Sequence, residues 1–197
     1  MRPIVLATFP SWSARFEGST RYFYCDIKGL VTIGVGLLAE PLALVNGLAF
    51  RRADNNPATA QEVGAAWLVV KSRQDLRTHG GGAYAGLTTL RATQESLDWL
   101  LVRKLGQMEA RARATFPEWD TFPAASQLAM ASMMWAAGPG VFAGFPHFSA
   151  AVMVQDWTTC SSTCHLDDSH NTGLRPRNEA NAELFLKAAT CADPDTL

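Results

Sequence analysis

The chain has 197 residues, 48% apolar and 18% charged, with 17 Lys and Arg against 18 Asp and Glu. That length suits one domain or one two-lobed domain. A net charge of −1 gives no case for nucleic-acid binding and little steering toward an anionic polymer.

No run approaches the roughly 20 consecutive apolar residues of a membrane span. Met1-Arg2 followed by Ile4-Val5-Leu6-Ala7 is too short for a secretion-signal core and soon meets Pro10. This predicts a protein made in the cytoplasm without a signal peptide. Glu17 stands at what reads as a helix end, next to the apolar Phe16. Arg21 to Cys25 is rich in strand-forming residues. Asp26-Ile27-Lys28-Gly29 supplies an Asp that can bond its own backbone and a Gly free to take positive φ, so the chain reverses there. Leu30 to Ile33 is the β-branched return strand, and Gly34 and Gly36 permit close backbone approach.

Ala39 to Pro57, with Pro41, Gly47 and Asn55-Asn56-Pro57, reads as a short helix and then a loop. Thr59-Ala60-Gln61-Glu62 is a capping box that opens a helix with Trp67, Val70 and Leu76 on its buried face and a stop at His79-Gly80. Gly80 to Ala83 is a flexible connection, with no phosphate-loop Lys-Ser/Thr behind it. Thr93 caps the next helix, which buries Leu97, Leu100, Leu101, Leu105 and Met108 and ends at Phe116-Pro117. Pro123 to Ala137 is apolar on nearly all sides and closes at Gly138, which argues for a buried helix. Its Met and Trp residues are core, since no polar group converges on them. Phe148 to Trp157 is another short helix, and a last one begins at Pro176 and buries Ala180, Leu184 and Ala188.

Two carboxylates held in different surroundings are the minimal equipment for hydrolysing a glycosidic bond. One, in an apolar setting, keeps its proton at neutral pH while the other stays ionised. Phe16 fits Glu17 to the first role, and the turn fits Asp26 to the second. Taken singly, each is an ordinary surface carboxylate, and Thr32 an ordinary strand residue. Together, Glu17, Asp26 and Thr32, with the turn and the run Thr32-Ile33-Gly34-Val35-Gly36, resemble the phage-type lysozymes, the muramidase family of T-even phages and of the bacteriocin pesticin. The likeness is close over residues 15–38 and looser over 123–157 and 173–185.

The resemblance implies a mostly helical α+β, lysozyme-like fold. A small hairpin-bearing N-terminal lobe, about 1–58, would pack on a helical lobe, 59–197, with a cleft between them. It implies a hydrolase of the β-1,4 bond between N-acetylmuramic acid and N-acetylglucosamine. Glu17 would be the acid, Asp26 the stabilising anion, and Thr32 the group that holds the water. Arg177 falls at the first Arg of the family's Gly-Leu-x-x-Arg-Arg motif and would support the cleft, pairing with the acid. The second Arg of that motif is Asn178 here, and Arg175 stands nearby. No metal or organic cofactor is implied. The partners implied are peptidoglycan glycan strands, delivery machinery of a phage or a secretion apparatus, and a cognate immunity protein, with no nucleic acid and no membrane span. Action would be in the periplasm or cell wall of a target bacterium. The near-neutral charge and the extra residues at Gly80 to Gly86 favour an injected antibacterial effector over a phage endolysin.

Other readings stand beside this one. A non-catalytic peptidoglycan-binding or scaffolding module of the same fold would be marked by a lost carboxylate, and none is lost. Cys160, Cys164, His165 and His170 form an incomplete zinc set. A disulfide from Cys191 to Cys160 or Cys164 would need an oxidising compartment. Cys25 as an amidase nucleophile is disfavoured by its place in a strand beside a carboxylate. A chitinase-like activity is the narrower rival.

Overall fold

The computed structural model describes residues 1–169 and 171–197. Along the chain run α1 (Pro3–Glu17), β1 (Thr20–Cys25), β2 (Val31–Gly34), β3 (Leu37–Leu38), β4 (Phe50–Arg51), α2 (Ala60–Ser72), β5 (Arg91–Ala92) and α3 (Gln94–Thr115). Then follow α4 (Ala124–Ala137), α5 (Pro146–Met153), α6 (Trp157–Thr163) and α7 (Arg175–Thr190). The fold is mostly helical α+β, a small antiparallel sheet near the N-terminus followed by a helical C-terminal region. The chain divides into two compact units, Glu17–Val102 and Met1–Phe16 with Arg103–Leu197. The division falls inside α3, whereas the sequence placed a boundary at residue 58, which lies within the first of these units.

In the Glu17–Val102 unit, β1, β2 and β3 form a three-stranded meander. Cys25 pairs with Val31 and Tyr24 with Thr32. Alternation along the strands sends Phe23, Cys25, Val31 and Ile33 into the core. Phe23 meets Phe50 there, with ring centroids 5.1 Å apart. The reversal between β1 and β2 is a three-residue hairpin loop: Asp26 N–H donates to Leu30 O, and Gly29 N–H to Asp26 O. Gly29 is in the left-handed region at φ 78°, and a Cβ there would sit 2.3 Å from Gln74 Oε1. The positive φ favours glycine there, and any side chain would also displace the movable end of Gln74.

The capping box at Thr59 and Glu62 forms as expected. The helix behind it is shorter than the sequence indicated. α2 stops at Ser72 and the chain continues to His79 as a 3-10 helix, so Leu76 is only half-buried. Trp67, read as buried, is half-buried, and its indole N–H donates to Ala39 O. The Gly80 to Ala83 tract, read as a flexible connection, contributes to a 3-10 helix over Gly81–Tyr84 whose Tyr84 is fully buried. A two-stranded sheet pairs β4, within the stretch read as a loop, with β5, for which there was no reading from the sequence.

The helical unit has α4 at its centre, buried from Ala124 to Trp135 and packed mainly on α7. Around it Phe116, Trp119, Phe122, Phe142, Phe148, Trp157 and Phe185 form a continuous aromatic set, with Phe122 and Trp157 at 5.0 Å. The single helix expected over Phe148 to Trp157 is two, α5 and α6, and Asp156 caps the second through Thr159 N–H. α7 begins at Arg175, with Pro176 in its first turn. Among the described residues no helix is long and apolar enough to cross a membrane.

Candidate active site on the hairpin

Asp26, Tyr24 and Thr32 lie on one face of the hairpin. Tyr24 is directly opposite Thr32, and Asp26 is two residues beyond Tyr24, so the pleat turns all three the same way. The opposite face is the apolar core.

Asp26 closes the turn with its side chain as well as its backbone. Its Oδ1 accepts from Lys28 N–H and Leu30 N–H, both at 2.9 Å. Thr32 is buried, and its hydroxyl donates to Leu30 O at 2.9 Å. That commits the proton and leaves the oxygen as an acceptor. Glu17 is the last residue of α1 and continues the Val5, Phe9, Ser13 spacing one step past the core. It is exposed there. The apolar surroundings expected from Phe16 are not built around it, because the helix ends at that position and Gly18, at φ 65°, turns the chain away.

The two carboxylates meet electrostatically at Tyr24. Burial first, then the negative charges of Glu17 and Asp26, push this phenol up to about 12. This ring is the one facing Thr32.

The hairpin tip is strapped to the end of α2 by residues the sequence did not single out. Lys71 Nζ donates to Gly29 O at 3.0 Å and pairs with Glu40 at 2.7 Å. Glu40 Oε2 in turn accepts from Val31 N–H, and its carboxyl is held below the usual range, chiefly by the Lys71 hydrogen bond. Gln74 Nε2 reaches Gly29 O at 3.2 Å and Lys71 O at 2.9 Å. Upstream on β1, Arg91 lies over the Tyr22 ring at 4.8 Å while bonding Ala85 O, Thr88 O and Leu90 O. These partners are remote in sequence, and no local pattern announces them.

No protein-family model matches the chain, and no curated protein matches it.

Arg177 belongs to the helical unit. It is buried, donates to Ser132 O at 3.1 Å, and sits over the Phe16 ring at 4.9 Å. Phe16 immediately precedes Glu17 in the chain. Arg177's neighbour Asn178 is buried too. It accepts from Leu166 N–H and donates to Leu166 O, at 3.0 and 2.8 Å.

The four cysteines are free thiols. Burial pushes Cys25 up despite hydrogen bonds from Tyr84 and Gln74, which is the reverse of what a nucleophilic thiolate needs. Cys160 is pushed up to about 12 and Cys164 to about 11, each mainly by burial. Among the described residues no cluster of His, Cys, Asp and Glu could hold a metal ion. His170, part of the zinc set weighed from the sequence, lies outside the described residues.

Proposed function

We propose that the protein is a muramidase of lysozyme-like architecture, cleaving the β-1,4 bond between N-acetylmuramic acid and N-acetylglucosamine in peptidoglycan. The observation that carries this reading is that Asp26 and Thr32 share one face of the hairpin, with Glu17 at the end of α1 just before its first strand. Two carboxylates and a hydroxyl acceptor around one polar face are the groups that the reaction needs.

In this mechanism Glu17 donates a proton to the departing glycosidic oxygen. Its exposure in the free protein means that the apolar, water-excluded setting comes with the bound glycan. Asp26 stays ionised, with one oxygen fixed by two backbone N–H groups and the other facing the water that it orients. Thr32 has already given its hydroxyl proton to Leu30 O, so it accepts from that water. A water donating to both Asp26 and Thr32 presents its lone pair to the anomeric carbon. Attack passes the water's proton to Asp26 and inverts the centre, which calls for a carboxyl separation of roughly 6.5–9.5 Å. Arg177, over the Phe16 ring one residue before Glu17, is the candidate support of the acid. No cofactor takes part.

The site of action is the cell wall of a target bacterium, reached by injection or by phage lysis machinery. An injected effector would be accompanied by an immunity protein that fits this site. Digesting purified sacculi with wild type and Glu17→Gln tests the proposal. Wild type is expected to release new reducing ends and soluble disaccharide-peptides, and Glu17→Gln to lose 10²-fold or more of that rate with unchanged melting (about 10²–10⁴ for a general acid). Equal rates would remove the acid role. Binding to sacculi without release would replace the enzyme by a wall-binding module of the same fold, and release from chitin oligomers alone would move the substrate.

A further inference from the structure

Two tyrosines in the hairpin unit use their hydroxyls differently. Tyr84 is fully buried, and its Oη donates to Arg73 O at 2.9 Å. Tyr24 is half-buried, and among the described residues its Oη makes no hydrogen bond to protein, yet it is not sealed from solvent. A rigid donor with no protein acceptor, on the same face as Asp26 and Thr32, is available to a ligand.

The ring of Tyr24 is held in place. It packs against the 3-10 helix at Gly81, where an added Cβ would lie 3.4 Å from Cγ and 3.5 Å from Cδ2. Across the ladder it faces Thr32. The hydroxyl therefore projects from a fixed ring, at little conformational cost on binding.

We infer that Tyr24 is a further sugar-contacting residue of this site, its hydroxyl donating a hydrogen bond to a neutral oxygen, hydroxyl or acetamido carbonyl, on the saccharide held beside Glu17 and Asp26. The inference rests on the muramidase reading, which supplies the saccharide. Chemistry narrows the acceptor. With the phenol pushed up to about 12, Tyr24 is a donor throughout the neutral range. Asp26, ionised in this mechanism, repels an anion, so a neutral acceptor is favoured here over the lactyl carboxylate of muramic acid. A site with a neutral donor flanked by negative charge selects an uncharged polar sugar substituent.

Tyr24→Phe removes the hydroxyl and keeps the ring against Gly81. It is to be compared with wild type in reducing-end release from sacculi. In the Glu17→Gln background, with and without Tyr24→Phe, affinity is to be measured for a tetrasaccharide of alternating N-acetylglucosamine and N-acetylmuramic acid. The expected result is a loss of roughly tenfold in kcat/KM and a similar loss of tetrasaccharide affinity, the size of one neutral hydrogen bond, with unchanged melting. Tyr84→Phe is the comparator: it is expected to lower melting and leave affinity unchanged. If wild type releases reducing ends while Tyr24→Phe matches it in rate and affinity, the Tyr24 inference falls alone. If wild type releases none and Glu17→Gln binds no tetrasaccharide, the muramidase reading falls and takes this inference with it. Should Tyr24→Phe not fold, the ¹³Cζ resonance of Tyr24 in Glu17→Gln decides: a shift on adding tetrasaccharide supports the contact, and no shift overturns it.

Discussion

In the unit from Glu17 to Val102, several polar side chains are tied to the backbone of the hairpin. Asp26 bonds the turn it stands in, Thr32 bonds Leu30 O, and Lys71 and Gln74 bond Gly29 O. In the helical unit the polar side chains are instead sealed inside. Ser126, Gln127, Ser132, Arg177, Asn178 and Asn181 are all buried, and Asn178 clamps both polar groups of Leu166. The contrast teaches what each region is built for. Burial of polar groups among aromatic rings fixes helices against one another. Backbone-tied polar groups at a hairpin tip hold a carboxylate and a hydroxyl in register, as the proposed function requires.

The contrast breaks most visibly at Trp119. Trp119→Ala deletes a fully buried ring and should cost about 3–5 kcal/mol in urea unfolding. A loss below about 1 kcal/mol would mean that the aromatic set is not a packed core. Next comes Asp26→Asn, which separates the turn from the chemistry. Asn Oδ1 can accept the same two backbone N–H groups, so stability should change by less than about 1 kcal/mol. The lost negative charge should lower reducing-end release by about 10²-fold or more. Parallel losses of stability and activity would make Asp26 a turn residue only.

A smaller effect is expected at Gly29. Gly29→Ala forces a side chain into a left-handed position and against Gln74 Oε1, for about 1–3 kcal/mol, read by thermal melting. An unchanged melt would show that the strap to α2 yields freely.

The smallest effect is electrostatic and exposed. Hydrogen bonds from Arg52, then from the Thr59 backbone and hydroxyl, lower the Glu62 carboxyl from 4.5 to about 2. A depressed carboxyl stabilises the folded state above its unfolded value, and that contribution is lost as pH falls from 4.5 toward 2. Glu62→Gln should therefore melt lower than wild type at pH 7 and converge with it near pH 2. A difference that persists at pH 2 would point to packing instead of charge.

What was readable locally was read locally. The strand composition of Arg21 to Cys25, the Asp-x-x-Gly turn, the capping box at Thr59 and the apolar run after Pro123 each carry their signal within one element, and each forms. The partners of a two-residue strand are not local: Phe50–Arg51 pairs with Arg91–Ala92 across α2, and neither dipeptide carries a periodicity. The glycines from Gly80 to Gly82 indicated flexibility because composition registers only backbone freedom. Tyr84 and the Tyr24 ring give that segment its packing.

The candidate site divides along the same line. Turn chemistry and strand period placed Asp26 and Thr32 on a hairpin, because both act over a few residues, while the resemblance to a lysozyme family singled out Glu17, Asp26 and Thr32 as a set. Tertiary structure decided that Glu17 is exposed and that burial, then nearby carboxylates, push the Tyr24 phenol up. It also decided that Lys71, Gln74 and Glu40 hold the tip. Exposure and electrostatic neighbourhood are sums over side chains that the fold brings together, and no window of sequence contains them.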